Sequence, residues 1–137
     1  MNAPVVVDTS VAFKWVFQDG EDSVPEAMAL LDAHLARRIL LVAPATLPVE
    51  VANGLRYSGL SAPDVLDALE AFEQLHLELI DADTSRIGRA TSLAYTNDIT
   101  VYDALFLAFA EELGCPLVTA DHRAFADITT AVEIRLL

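Results

Sequence analysis

Five short apolar runs, Val5 to Val7, Ile39 to Val42, Leu77 to Ile80, Leu117 to Ala120 and Val132 to Leu136, are separated by stretches patterned as helix. Runs that short, rich in β-branched residues and bounded by polar ones, read as strands buried on both faces. Strands alternating with helices constrain the chain to an α/β layer fold: a central, mostly parallel five-stranded sheet flanked by helices, with right-handed crossovers. The intervening patterns predict helices over Thr9 to Phe17, Pro25 to Arg38, Leu47 to Tyr57, a segment opened by a Ser61/Asp64 capping box and running to about Leu75, Thr84 to Thr96, and Val101 to Leu113. Pro25 suits a first turn and Arg37 and Arg38 a last one, while Gly114 ahead of Pro116 suits a left-handed C-cap. Repeats, low-complexity tracts and linkers are absent from the sequence, so residues 1–137 are expected to form one domain.

Two of the predicted strands stop at an aspartate, Asp8 and Asp121. In open α/β sheets the functional crevice lies beyond the carboxyl ends of the strands, so both carboxylates are expected to face one crevice. Carboxylates beside an apolar interior repel each other and resist desolvation unless a positive charge lies between them. Two more acids fall where an amphipathic pattern does not put them. Asp103 shares a helix face with Phe106, Leu107 and Ala110, and Glu50 borders the stripe of Leu47, Val51 and Leu55 with no basic residue within a turn. Each has a structural alternative. Asp8 and Asp121 can N-cap the segments that follow them, Asp103 can complete a capping box with Thr100, and Glu50 can sit on a solvated rim. Jointly, four convergent carboxylates suit Mg²⁺ or Mn²⁺, which take hard oxygen ligands and keep coordinated waters. Asp81 and Asp83 follow an outer strand, with Asp83 expected to cap the helix at Thr84, and Asp98 and Asp127 fall in turns.

The net charge of −13, from 21 acidic and 8 basic residues, argues against broad contact with a nucleic-acid backbone unless metal ions meet the phosphates; it also suits a basic protein partner. Hydrophobic residues make up 54% of the chain and the mean hydropathy is +0.41, which fits either an aliphatic-rich core or a face covered by another chain. No apolar stretch reaches the ~18 residues of a membrane span and no signal-peptide pattern opens the chain, so a cytoplasmic protein is expected. Cys115 is expected to be a small buried hydrophobe. Nucleotide-binding glycine motifs, nucleophile elbows and zinc-protease motifs are absent, and His34, His76 and His122 are scattered, reading as surface residues rather than zinc ligands. The sole lysine, Lys14, lies too early for a phospho-receiver domain. No second acid follows Asp8 two residues on, as a haloacid-dehalogenase-type phosphatase requires.

VVVDTS at Val5 to Ser10, LPVEVANGL around Glu50, TVYDALFLA at Thr100 to Ala108 and LVTADHR at Leu117 to Arg123 together resemble the PIN domain family, in order and over essentially the whole chain. The length is most similar to VapC-type toxins of toxin–antitoxin pairs. The resemblance implies a metal-dependent ribonuclease with Asp8, Glu50, Asp103 and Asp121 as catalytic and metal-binding acids, one or two Mg²⁺ or Mn²⁺ ions, an RNA substrate, a cognate VapB-type antitoxin and a homodimer. It further implies that Ser10 and Thr119 orient the carboxylates and that Lys14, Arg86, Arg89 and Arg123 are candidate RNA contacts. Trp15 and Phe17 are expected either to be exposed in an antitoxin-docking groove lined by the first helices or, for Trp15, to pack into the core. Two other readings remain open: a non-catalytic PIN-like module that binds protein, and a metal-dependent phosphohydrolase of small phosphoesters.

Overall fold

The computed structural model describes residues 2–137. Strands β1 (Ala3–Val7), β2 (Ile39–Pro44), β3 (Glu78–Ile80), β4 (Leu117–Thr119) and β5 (Ile134–Leu136) form one sheet in the order β3-β2-β1-β4-β5, and every neighbouring pair is parallel. Six helices complete the chain: α1 (Thr9–Val16), α2 (Val24–Leu35), α3 (Leu47–Arg56), α4 (Ala62–Glu73), α5 (Thr84–Asn97) and α6 (Val101–Leu113). The expected α/β class and five-stranded sheet are therefore present, and the sheet is wholly parallel.

The core explains the strand sequences. Val5, Val6 and Val7 of β1, Leu41, Val42 and Ala43 of β2, and Leu117 and Val118 of β4 are all buried, which fits central strands covered by helices on both faces. In α6, Ala104 to Ala110 is buried without a break, so this helix has no solvated stripe over its middle two turns. Its ends are fixed by local chemistry. Thr100 accepts the Asp103 N–H at 3.1 Å, and Gly114 takes φ +60° while Cys115 N–H bonds back to Ala110 O at 3.0 Å. Ser61 and Asp83 cap α4 and α5 as the sequence predicts, and Cys115 is buried.

Several boundaries and side chains differ from expectation. Helix α2 ends at Leu35, so Arg37 and Arg38 lie beyond it; Arg37 adopts φ +59° and Arg38 N–H reaches Ala33 O at 2.9 Å, closing the helix by a left-handed turn. Strand β4 stops at Thr119 because the Ala120 N–H is given to Ser10 Oγ at 2.8 Å. Trp15 is not exposed: it is 8% accessible and its Nε1–H donates to Ala27 O at 2.8 Å, pinning α1 to α2. Phe17 packs against the core's edge, its ring centroid 5.4 Å from that of Phe13. The groove expected around these two aromatics is therefore filled by the protein's own core.

His34 is also not a surface residue. Its Nδ1 accepts the Leu41 N–H at 3.1 Å, which leaves the proton on Nε2 to donate to Leu75 O at 2.9 Å. Pairing of β2 with β3 begins only at Val42, so the ring supplies the partner that a longer β3 would have given Leu41. His34→Leu, which leaves both backbone groups unmet in the interior, is expected to cost about 2 kcal/mol. Urea denaturation checks this as a lowered midpoint at unchanged slope; an unchanged midpoint would show that the ring is dispensable.

Candidate active site

Strand order reverses direction between β1 and β4: from β1 the chain builds outward through β2 and β3, then returns to the other side for β4 and β5. Ligands of open α/β sheets bind at such a switch point, beyond the carboxyl ends of the strands. Asp8 follows β1 and Asp121 follows β4 by one intervening residue, so both stand at this switch.

Asp8 is 4% exposed, and its position is set by three donors. Ser10 Oγ donates to Oδ1 at 2.6 Å, Thr119 Oγ1 donates to Oδ2 at 2.5 Å, and the Val11 N–H lies 3.4 Å from Oδ1. The two hydroxyls are themselves oriented by backbone across the switch: Ser10 Oγ accepts the Ala120 N–H at 2.8 Å and Thr119 Oγ1 accepts the Asp121 N–H at 3.0 Å. With both hydroxyl protons committed to Asp8, the 3.3 Å approach of Ser10 Oγ to Thr119 Oγ1 is a contact rather than a third bond. The expectation that Ser10 and Thr119 orient a carboxylate is met for Asp8. Asp8 is at once the N-cap of α1 and a member of the acidic group, and Asp121 likewise caps the following turn through Ala124 N–H to Oδ1 at 3.0 Å. Capping and convergence are thus compatible.

Glu50 and Asp103 approach from the helices. Glu50 occupies the first turn of α3, and one turn later Gly54 allows that helix to pack close to α1: a Cβ at Gly54 would meet the Phe13 ring at 3.0 Å. Asp103 is on the first turn of α6 and shares a cleft with Asp121, Thr100, Ile99 and Arg123. Only one limb of the expected Thr100/Asp103 capping box forms, the Asp103 N–H to Thr100 Oγ1.

Burial, and after it neighbouring carboxylates, raises the proton affinity of Asp8, Glu50 and Asp103. Burial lifts Asp8 from 3.8 to about 6 against the pull of Ser10, Thr119 and the Val11 N–H, and the Asp103 charge adds to the rise. Glu50 is lifted from 4.5 to about 7, first by burial and then by the charges of Asp103 and Asp8. Asp103 is raised by burial and by Asp121, with the Thr100 hydroxyl opposing. Sequence reasoning missed Thr9. Its hydroxyl favours the charged form of Glu50, yet Thr9 Oγ1 is buried and makes no hydrogen bond within normal limits. The only hint was the hydroxyl doublet after Asp8, of which Ser10 was read and Thr9 was not.

Four carboxylates with flanking hydroxyls, and no His or Cys, form a donor set suited to a hard divalent cation. The unpartnered Thr9 Oγ1 beside Glu50 fits a site completed by a further polar species. Among the described residues, no three His, Cys, Asp or Glu side chains are gathered tightly enough as they stand to hold an ion.

The cations expected to meet RNA are mostly committed elsewhere. Lys14 is 3% exposed and bound to Glu21 at 3.0 Å and Asp22 at 3.4 Å, so it is no free surface charge. Arg86 pairs with Asp83 and Glu112, each at 3.1 Å, and Arg89 with Glu111 at 2.8 Å.

The chain belongs to the PIN domain family, whose model matches residues 5–130. Among solved structures, its fold is similar to that of VapBC2 from Rickettsia felis bound to a promoter DNA fragment, with a TM-score of 0.72 at 18% identity and 98% of each chain covered. It is also similar to the DNA-bound VapBC of Salmonella typhimurium, with a TM-score of 0.71 at 20% identity and 98% of each chain covered. A third likeness is to VapC20 of Mycobacterium tuberculosis, a sarcin-ricin loop cleaving toxin. The TM-score there is 0.69 at 14% identity, covering 89% of this chain and 93% of that one. No curated protein sequence matches the chain significantly.

Groups whose proton affinity rises on folding stabilise the fold while protonated, and that contribution is lost as pH climbs through the folded pKa. For Asp8 and Glu50 the contribution is complete below about pH 4 and lost as pH rises through about 6 and about 7. In EDTA, the melting temperature is therefore expected to fall as pH rises from about 4 to about 8. Glu50→Gln, which removes the charge where it is half-buried, is expected to raise apo stability near neutrality by on the order of 1 kcal/mol after allowance for solvent screening. A melting temperature that rises over the same range would contradict the repulsive arrangement.

Proposed function

We propose that this protein is a VapC-type toxin: an endoribonuclease dependent on Mg²⁺ or Mn²⁺, formed by a single domain over residues 1–137. One observation carries the reading. In a chain of the PIN family, Asp8 and Asp121 follow the strand ends at the sheet's switch point, Glu50 and Asp103 lie on the first turns of α3 and α6, and the Asp103 charge acts on Asp8 and Glu50 while that of Asp121 acts on Asp103.

All four acids are assigned as metal ligands and catalytic residues, holding one or two ions. Bound there, a divalent cation lowers the pKa of a coordinated water and offsets charge growing on a phosphodiester in the transition state. The chain's own residues supply the positioning. Asp8, clamped by Ser10 and Thr119, is the most rigidly held of the four, with both carboxylate oxygens fixed before any substrate arrives. Glu50 and Asp103 ride on helix first turns, and their raised proton affinities fall as positive charge enters the group. Asp121 stands on the short turn after β4, with its N–H tied to Thr119 and Oδ1 tied to Ala124.

A cognate VapB-type antitoxin is the assigned partner. Solved structures similar in fold include VapBC and a toxin–antitoxin complex from Klebsiella pneumoniae, and an acidic chain of net charge −13 is electrostatically suited to a basic tail. A homodimer is also assigned. Val49, Leu66 and Leu79 are exposed, and a cavity of about 600 Å³ between α3, α4 and β3 is lined mainly by apolar side chains, with Glu73 and His76 on its wall. Among the described residues no helix is long and apolar enough to cross a membrane, and action in the cytoplasm fits an RNA substrate.

RNA cleavage by the purified protein in Mg²⁺ tests the reading. Activity is expected to vanish in EDTA and to fall at least ~100-fold in Asp8→Asn, Asp103→Asn and Asp121→Asn, each assayed alongside wild type by resolving the RNA fragments. Cleavage that survives chelation and Asp8→Asn would overturn it. Turnover of a phosphomonoester without RNA cleavage would instead favour a small-molecule phosphohydrolase.

A further inference from the structure

Resting on the ribonuclease reading above, we infer that Arg123 is the residue that positions the RNA backbone, gripping a phosphate on the α6 side of the acidic group. The argument begins with a shortage. Of eight cationic side chains, four are held in ion pairs: Lys14 with Glu21 and Asp22, Arg86 with Asp83 and Glu112, Arg89 with Glu111, and Arg135 with Glu133 at 2.7 Å. Arg37 and Arg38 precede β2. Since all strands run in parallel, these two stand at the edge of the sheet opposite the acids. Arg56 ends α3, two turns past Glu50, with its guanidinium 5.2 Å from the centroid of the Tyr57 ring. Arg123 remains. It is exposed, makes no ion pair among the described residues, and lines a cleft of about 470 Å³ together with Asp103 and Asp121.

The geometry also gives the strand a direction across the site. Asp121 lines a second cleft, of about 450 Å³, whose walls are Ser10, Phe13, Lys14, Glu21 and Gly54. Asp121 lines both clefts, so on this reading an extended strand would run from one towards the other with a phosphodiester beside the acids. They differ in charge available to a phosphate. In the second cleft the Lys14 ammonium is already bound by two carboxylates, whereas in the first the Arg123 guanidinium keeps all five donors free. A guanidinium two residues from Asp121 is suited to take the oxygens of a flanking phosphate bidentately, fixing the register of the strand without touching a base. Arg123 is thus a backbone-positioning residue, and sequence preference lies elsewhere.

The test compares wild type with Arg123→Ala and Arg123→Lys. Binding of a fluorescein-labelled single-stranded RNA oligonucleotide is followed by anisotropy in Ca²⁺ across a KCl series, and steady-state cleavage is measured in Mg²⁺. Because Arg123 is exposed, the alanine variant should fold normally; circular dichroism and Mn²⁺ affinity by calorimetry, both expected to be unchanged, establish this. For Arg123→Ala, KM is expected to rise about tenfold with a smaller effect on kcat. The slope of log affinity against log salt should shrink by about 0.7, the value for one phosphate on a single strand. Arg123→Lys is expected to restore the salt slope but only part of the KM, since a point charge replaces a planar fork. Unchanged KM and salt slope in Arg123→Ala, while Asp8→Asn abolishes cleavage, would overturn this role and leave the nuclease reading standing. Cleavage that persists in Asp8→Asn would overturn the nuclease reading itself.

Discussion

A carboxylate at the end of the central strand is the constraint around which the rest of this molecule is arranged. Asp8 follows three valines that are almost wholly buried, and it is itself 4% exposed. Burial of an ionised group there is tolerated because two hydroxyls and a backbone N–H are aimed at it, and those hydroxyls are held by the backbone of the neighbouring strand end. The consequence reaches the tertiary level. Bonds from Ala120 N–H to Ser10, and from Asp121 N–H to Thr119, end β4 and turn the chain so that a second carboxylate stands at the same end of the sheet as the first. One interaction thereby fixes a charge, terminates a strand and seats its partner.

The strands, their alternation with helices and the α/β class were readable because they rest on local, periodic signals. Short β-branched runs separated by capped helices leave few topologies, and an acid on an apolar helix face stands out against its neighbours, as Asp103 does beside Phe106 and Leu107. What escaped the sequence depends on contacts between residues far apart in the chain. The side chains of Trp15 and His34 are polar at one end and apolar at the other, and nothing local says whether a backbone carbonyl waits in the core. Ala27, Leu41 and Leu75 supply those groups. Lys14 misled for the same reason: its carboxylate partners lie in the loop that follows α1, seven and eight residues on, outside helical periodicity. The set of four acids could be named from pattern alone, but the helper hydroxyl Thr9 could not, since a threonine opening a helix is unremarkable until its oxygen is found buried without a partner.

The charge balance takes on a definite meaning once the ion pairs are drawn. A net charge of −13 seems hostile to RNA, and over most of the surface it is. Among the described residues, Lys14, Arg86, Arg89 and Arg135 are held in ion pairs, and of the arginines outside them Arg123 is the one lining a cleft with Asp103 and Asp121. Such a surface binds nucleic acid weakly wherever it cannot combine that contact with a cation at the carboxylates. On the proposed function, the scarcity of other positive charge would confine reaction to the acidic group, a form of discrimination by unfavourable alternatives.

Stability and function therefore pull against each other at one point in the fold. Burial and, secondarily, neighbouring carboxylates raise the proton affinities of Asp8, Glu50 and Asp103, so this group of acids is a costly element in an otherwise well-packed sheet. On the proposed function, the same repulsion would give a divalent cation its differential affinity for the folded chain, because the unfolded chain disperses the four carboxylates. Proximity of like charges at the switch of β1 and β4 is consequently a cost of the unliganded state alone. Relief of that cost on binding is what ties the chemistry of the site to the integrity of the fold.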